Sequence, residues 1–133
     1  MEPVTLTLPI ADRRAALRFY AAAFGLEALG EPGADGVPEP LQFALGGEVR
    51  LMLVPRGGFD WVAAPHEVAA RGVSECLLAL RAPDDGSVDG MVERARVAGA
   101  TVVVAPGAQR WGYAGTVADP DGHLWMITSA PRP

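Results

Sequence analysis

Trp111-Gly112-Tyr113-Ala114-Gly115-Thr116-Val117-Ala118-Asp119-Pro120-Asp121-Gly122-His123-Leu124, running on into Trp125-Met126-Ile127-Thr128, decides the reading of the whole chain. Asp119-Pro120-Asp121-Gly122 separates two strand-like runs and is expected to be the tight turn of a β-hairpin. Proline presets φ at one corner and glycine supplies positive φ at the other. Beyond the turn, strand alternation places Leu124, Met126 and Thr128 on one face and His123, Trp125 and Ile127 on the other. If Met126 faces a ligand, Trp125 packs under a helix as core.

Working back from the hairpin, the two halves of the chain read alike. A strand-like run at 4–10 is followed by Asp12, a helical stretch ending at Gly25 and a further run at 26–29. A run at 76–82 is followed by residues 84–87, a helical stretch ending at Gly99 and a run at 101–105. Pro9 precedes Gly25 by 16 positions, and Pro83 precedes Gly99 by the same 16. In the first helix Leu17, Tyr20, Ala21 and Phe24 form an i, i+3, i+4, i+7 stripe; Val88, Met91, Val92 and Ala95 repeat it in the second. Asp12 and Ser87 are the N-cap candidates, and Gly25 and Gly99 end the helices.

Two more strand-like stretches follow in each half, at 41–45 and 49–54, then at 113–118 and 123–129. Gly46-Gly47 forms the first hairpin turn. Aligning Gly47 with Gly122 sets Leu51 opposite Met126. The predicted fold class is therefore α+β, with two tandem βαβββ modules at about 1–55 and 73–130 in one domain spanning 1–133. Residues 56–72 form the connector, with a short helix expected around 66–71. The glycine- and proline-rich segment 30–40 is expected to be a mobile loop.

Composition narrows the function classes. Net charge is −5, and all eleven basic residues are scattered arginines, so no basic stripe exists to neutralise phosphates and nucleic acid is not an expected partner. No apolar run reaches the roughly 20 residues a membrane span needs, and no signal peptide is read, so no membrane partner is expected and a soluble cytoplasmic protein is. The single cysteine, Cys76, lies in an apolar run and is expected to be a buried thiol.

The ordered set Leu6-Thr7-Leu8-Pro9-Ile10-Ala11-Asp12, Arg18-Phe19-Tyr20, Phe24-Gly25-Leu26, Ala98-Gly99-Ala100 and Asp119-Pro120-Asp121-Gly122-His123-Leu124-Trp125 resembles the vicinal oxygen chelate superfamily. That superfamily contains glyoxalase I, extradiol dioxygenases and bleomycin-resistance-type binding proteins. The resemblance implies sheets curled into a U-shaped cleft, usually completed in a homodimer. Metal-dependent members place one ligand on the first and one on the last strand of each module. The resemblance puts those positions at Thr5, Leu51, near Leu77 and Leu78, and at Met126, where a glutamate is typical.

Threonine, leucine and methionine do not supply the imidazole, carboxylate or thiolate donors that zinc, nickel, iron or manganese require. No metal and no other cofactor is expected. The leading expectation is a metal-free binding protein that sequesters an aromatic or apolar natural product or antibiotic. The competing one is a glyoxalase-like lyase or isomerase, or a dioxygenase-related enzyme, with a non-standard or absent metal site.

Candidate ligand-binding residues are Met126 and Leu51 in the cleft, Trp111 and Tyr113 at a strand entrance, Phe59 and Trp61 in the connector, and Glu75 and Arg110 at the edge. Each has a plainer alternative: packing for the apolar residues, exposed charge for the two ionic ones. His66 and His123 are the two histidines. His123 is expected to bond locally or face solvent. No nucleophile elbow surrounds Ser74-Glu75-Cys76.

Overall fold

The computed structural model describes residues 2–130. These fall into two compact units, one comprising 2–21 and 25–68, the other 22–24 and 69–130. The fold is α+β.

In the first unit β1 (Val4–Ile10) leads into α1 (Arg13–Phe24), then β2 (Leu41–Ala44), β3 (Val49–Pro55) and α2 (Arg56–Ala63). The sheet order is β1-β3-β2, with β1 parallel and β2 antiparallel to β3. The run at 26–29 is not a strand. It contributes one bridge, Ala28 to Phe43, and one hydrogen bond from Leu29 N to Gln42 O at 2.8 Å.

Asp12 caps α1 by accepting from Ala15 N at 2.7 Å, and Gly25 closes it in the left-handed region at φ 66°. The buried stripe of α1 is Ala16, Phe19, Tyr20 and Ala23, one residue back from the expected Leu17, Tyr20, Ala21 and Phe24. Ala16, Phe19 and Tyr20 form the first unit's core with Leu8, Ile10, Leu41, Phe43, Leu51 and Leu53, and the Tyr20 and Phe43 rings lie 5.7 Å apart. Segment 30–40 is anchored. Val37 is buried, and Arg13 ties to Asp35 at 2.7 Å, to Glu39 at 3.3 Å and to the carbonyls of Val37 and Pro38.

The expected helix at 66–71 is absent; α2 lies at Arg56–Ala63 instead, directly after Pro55. Its glycines, Gly57 and Gly58, each cost about 1 kcal/mol against alanine, which hid it from a propensity reading. None of its residues is buried.

In the second unit β4 (Leu77–Arg81) leads into α3 (Asp85–Val97), β5 (Thr101–Gln109), β6 (Gly112–Ala118) and β7 (Leu124–Thr128). The sheet order is β4-β7-β6-β5. The N-cap of α3 is Asp84, not Ser87: its carboxylate accepts from Ser87 N at 2.7 Å. Those bonds from Ser87 hold the Asp84 carboxyl below its ordinary range. Val88, Val92 and Ala95 are buried beside Val117, Trp125 and Ile127, and Phe24, which groups with this unit, stacks at 5.1 Å from Trp125. Cys76 is exposed, because β4 begins one residue later and leaves it outside the ladder.

The Asp119–His123 turn is held by its own first side chain. The buried Asp119 carboxylate accepts from Asp121 N at 2.9 Å and His123 N at 2.8 Å, and Gly122 sits at φ 90°. A Cβ there would stand 3.1 Å from Gly72 N, so close approach as well as backbone angle calls for glycine.

Candidate functional site

The face of each sheet opposite its core follows from register and burial. On β7 Trp125 and Ile127 are buried, so Leu124 and Met126 occupy the opposite face. Met126 stands beside Ala79 on β4 and Thr116 on β6, with Leu77 diagonal to it. On β3 Leu51 and Leu53 are 0% and 2% exposed, so the face opposite the core belongs to Arg50, Met52 and Val54, with α2 reaching its Val54 end, where a Cβ on Gly58 would lie 3.3 Å from Val54 Cγ1. Met52 stands beside Thr7 and Gln42, with Thr5 diagonal to it.

Leu51 is therefore not a site residue. It pairs with Leu6 and Phe43 inside the core, and its counterpart in the second unit is Trp125, which pairs with Leu78 and Val117. The hairpins confirm the register. Leu45 N bonds Val49 O, and Asp119 N bonds His123 O, both at 2.8 Å, so corresponding residues lie 74 positions apart, not 75. A slip of one residue turns every side chain to the other face. The position equivalent to Met126 is Met52.

The four corresponding positions are thus Thr5 and Met52 in one sheet, Leu77 and Met126 in the other. They offer one hydroxyl, two thioethers and an isobutyl group. Borderline or hard divalent ions take imidazole, carboxylate or thiolate, so neither pair fits the ion that such positions hold elsewhere. Among the described residues no group of three His, Cys, Asp or Glu side chains converges to hold one.

The other sequence candidates scatter. Tyr113 alternates with Ala114 and Thr116 and lies on the α3 face of β6, away from Met126. Its hydroxyl donates to Asp89 Oδ1 at 2.6 Å. That bond to a carboxylate, with burial and the charges of Asp89 and Asp85 behind it, pushes the Tyr113 phenol above its ordinary value. Trp111 is 59% exposed at the tip of the β5–β6 hairpin, beside exposed Arg110. Glu75 is exposed ahead of β4. Phe59 is half-buried and Trp61 82% exposed on α2, in the first unit. His66 is exposed and His123 half-buried. Sequence reasoning missed Met52, Arg50, Thr7, Gln42 and Ala79; the shared hairpin length from the last residue of one strand to the first of the next would have found the first two.

The glyoxalase/bleomycin resistance protein/dioxygenase superfamily model matches residues 3–127, and the chain belongs to that superfamily. The uncharacterized protein Rv0887c of Mycobacterium tuberculosis is 34% identical over 129 residues, covering 94% of this chain and 72% of that one. Among solved structures, a glyoxalase-related enzyme from Fulvimarina pelagi superposes with a TM-score of 0.80 at 27% identity, covering 96% of this chain and 87% of its own. TnmS3, an antibiotic binding protein from Streptomyces sp. CB03234, does so with a TM-score of 0.66 at 27% identity, covering 98% and 97%. No helix among the described residues is long and apolar enough to cross a membrane.

Proposed function

We propose that this chain is a metal-free binding protein that sequesters an aromatic or apolar small molecule, such as a natural product or antibiotic, on the sheet faces opposite its cores. The observation that carries the reading is the filling of the four ligand positions by Thr5, Met52, Leu77 and Met126. A thioether is polarisable and conformationally adaptable, and makes favourable contacts with aromatic rings. Leu77, 53% exposed, and Ala79 extend the apolar surface around Met126. An apolar surface with few polar groups is what capture requires; no activated nucleophile is needed. The likeness to TnmS3, itself an antibiotic binding protein, supports the same class of ligand. A homodimer, which the family resemblance implies, and a cytoplasmic location are part of the proposal.

The test is a thermal-shift screen of purified protein against aromatic natural products, with and without a chelator. A ligand held at 100 times its Kd raises stability by about 2.7 kcal/mol. The expected result is a shift that survives the chelator and shrinks in Met126→Ala. Stoichiometric copurifying metal, with binding lost on chelation, would overturn the reading. Sedimentation of the free protein as a monomer would remove the dimer from it.

A further inference from the structure

The chain carries sixteen Asp and Glu against eleven Arg, yet the strands of the first sheet place no acid on the face opposite its core. Its central rows are Thr5–Arg50–Ala44 and Thr7–Met52–Gln42. Side chains directly opposite on a sheet stand about 5 Å apart at Cβ, and diagonal ones about 7 Å. The Arg50 guanidinium is thus within reach of two threonine hydroxyls, a carboxamide and the Met52 thioether.

Arg13 and Arg14 in the same unit are engaged, by Asp35, Glu39 and the backbone of the 30–40 segment. Arg50 has no ion pair among the described residues. Glu48, in the hairpin two residues before it, forms none with it.

Burying a guanidinium without a counter-charge is costly. An apolar body lying on Met52 would remove water from Arg50 beside it. A ligand that binds there gains only if it brings an acceptor of its own, and a planar carboxylate matches the guanidinium fork.

Resting on the proposed binding function, we infer that Arg50 is the specificity determinant of the first sheet face, and that the ligand is an aromatic carboxylate. Its ring system covers Met52, and its carboxylate accepts from Arg50 with Thr5 or Gln42 completing the hydrogen bonds. The second sheet has no guanidinium at the matching position, where Leu124 stands.

The probes are anthracene-9-carboxylate and its methyl ester, titrated by fluorescence into the wild type, Arg50→Gln and Arg50→Lys. Charge-assisted hydrogen bonds predict that the carboxylate binds about tenfold more tightly than the ester in the wild type. Arg50→Gln should bring the two within about twofold with ester affinity unchanged, and Arg50→Lys should keep part of the preference. Raising the salt should shrink the wild-type difference. Equal binding of both probes to the wild type, or a preference that survives Arg50→Gln, overturns the inference while the sequestration reading stands. Failure of the carboxylate to bind the wild type at millimolar concentration overturns the inference, while the thermal-shift screen with natural products decides the sequestration reading separately.

Discussion

In the first unit Phe43 on β2 stands opposite Leu51 on β3, whereas in the second Val117 on β6 stands opposite Trp125 on β7. One row along, Leu41 faces Leu53 in the first sheet, while Gly115 faces Ile127 in the second. The aromatic has changed strands, and the leucine has become a glycine. Register survives from one unit to the other while size is redistributed, because a close-packed interior constrains the volume of a layer more tightly than any single position in it. The faces opposite the two cores diverge in polarity instead. Thr5, Thr7, Gln42 and Arg50 in the first sheet correspond to Leu77, Ala79, Thr116 and Leu124 in the second, while Met52 and Met126, and Ala44 and Ala118, keep their type.

The strongest way to break this comparison is to cut neighbouring residues on the two faces. Trp125→Ala should cost about 3–5 kcal/mol and Leu51→Ala about 2–5 kcal/mol in urea unfolding, since both side chains are fully buried. Met52→Ala and Met126→Ala should cost clearly less, because both methionines are only half-buried. If Met52→Ala proved as damaging as Leu51→Ala, the assigned faces of β3 would be wrong.

How much of this was legible beforehand can be judged from the same residues. Two strand–helix–strand halves showed in the spacing of Pro9 to Gly25 and Pro83 to Gly99, and the Asp119–His123 turn showed in its chemistry. The one-residue slip came from using glycines as landmarks. The positive-φ glycine is Gly46, directly after Leu45, in one hairpin, but Gly122, directly before His123, in the other. Equal loop length carried the correspondence and glycine position did not. The stripe of α1 was misplaced for a related reason. Residues 16, 19, 20 and 23 and residues 17, 20, 21 and 24 satisfy the same helical spacing, and alanines at 16 and 23 carry too little hydrophobicity to choose between them. Arg50 escaped notice because, in the slipped register, it shared a face with core residues.

Gly115 offers a sharper probe of the size exchange. A Cβ there would lie 3.0 Å from Val92 Cγ2, 3.1 Å from Pro106 Cγ and 3.2 Å from Pro106 Cα, so β6 is pressed between α3 and the bent middle of β5. Gly115→Ala should destabilise by about 1–3 kcal/mol through overpacking. A neutral Gly115→Ala would show that α3 shifts freely and that the second core is looser than the first.

The helix caps give a smaller contrast. Asp12 and Asp84 do the same work 72 positions apart, accepting from the backbone amide three residues on. Asp12→Ala should lower stability by about 1 kcal/mol. The Asp84 carboxyl is lowered by its bonds from Ser87, so its share of stability is present above the unfolded value of 3.8 and is lost as pH falls through the lower folded value. Acid unfolding of Asp84→Asn should accordingly show a weaker pH dependence below 3.8 than the wild type.

The smallest expected effect separates the tyrosines of the two units. Tyr113 donates to Asp89, and with its phenol raised above 10.0 it favours the folded state while protonated. That contribution is complete below the unfolded value and disappears as pH climbs through the folded one, the reverse of the Asp84 case. Asp89→Asn removes the carboxylate that is the largest cause, so the Tyr113 ring resonances should titrate at lower pH in the variant. Tyr20, buried against Phe43 in the other unit, should not respond. A Tyr113 titration unmoved by Asp89→Asn would mean that Asp89 does not hold the hydroxyl. The hydroxyl would then be free to swing away from α3, and the assignment of Tyr113 to the helix side of β6, away from Met126, would lose its anchor.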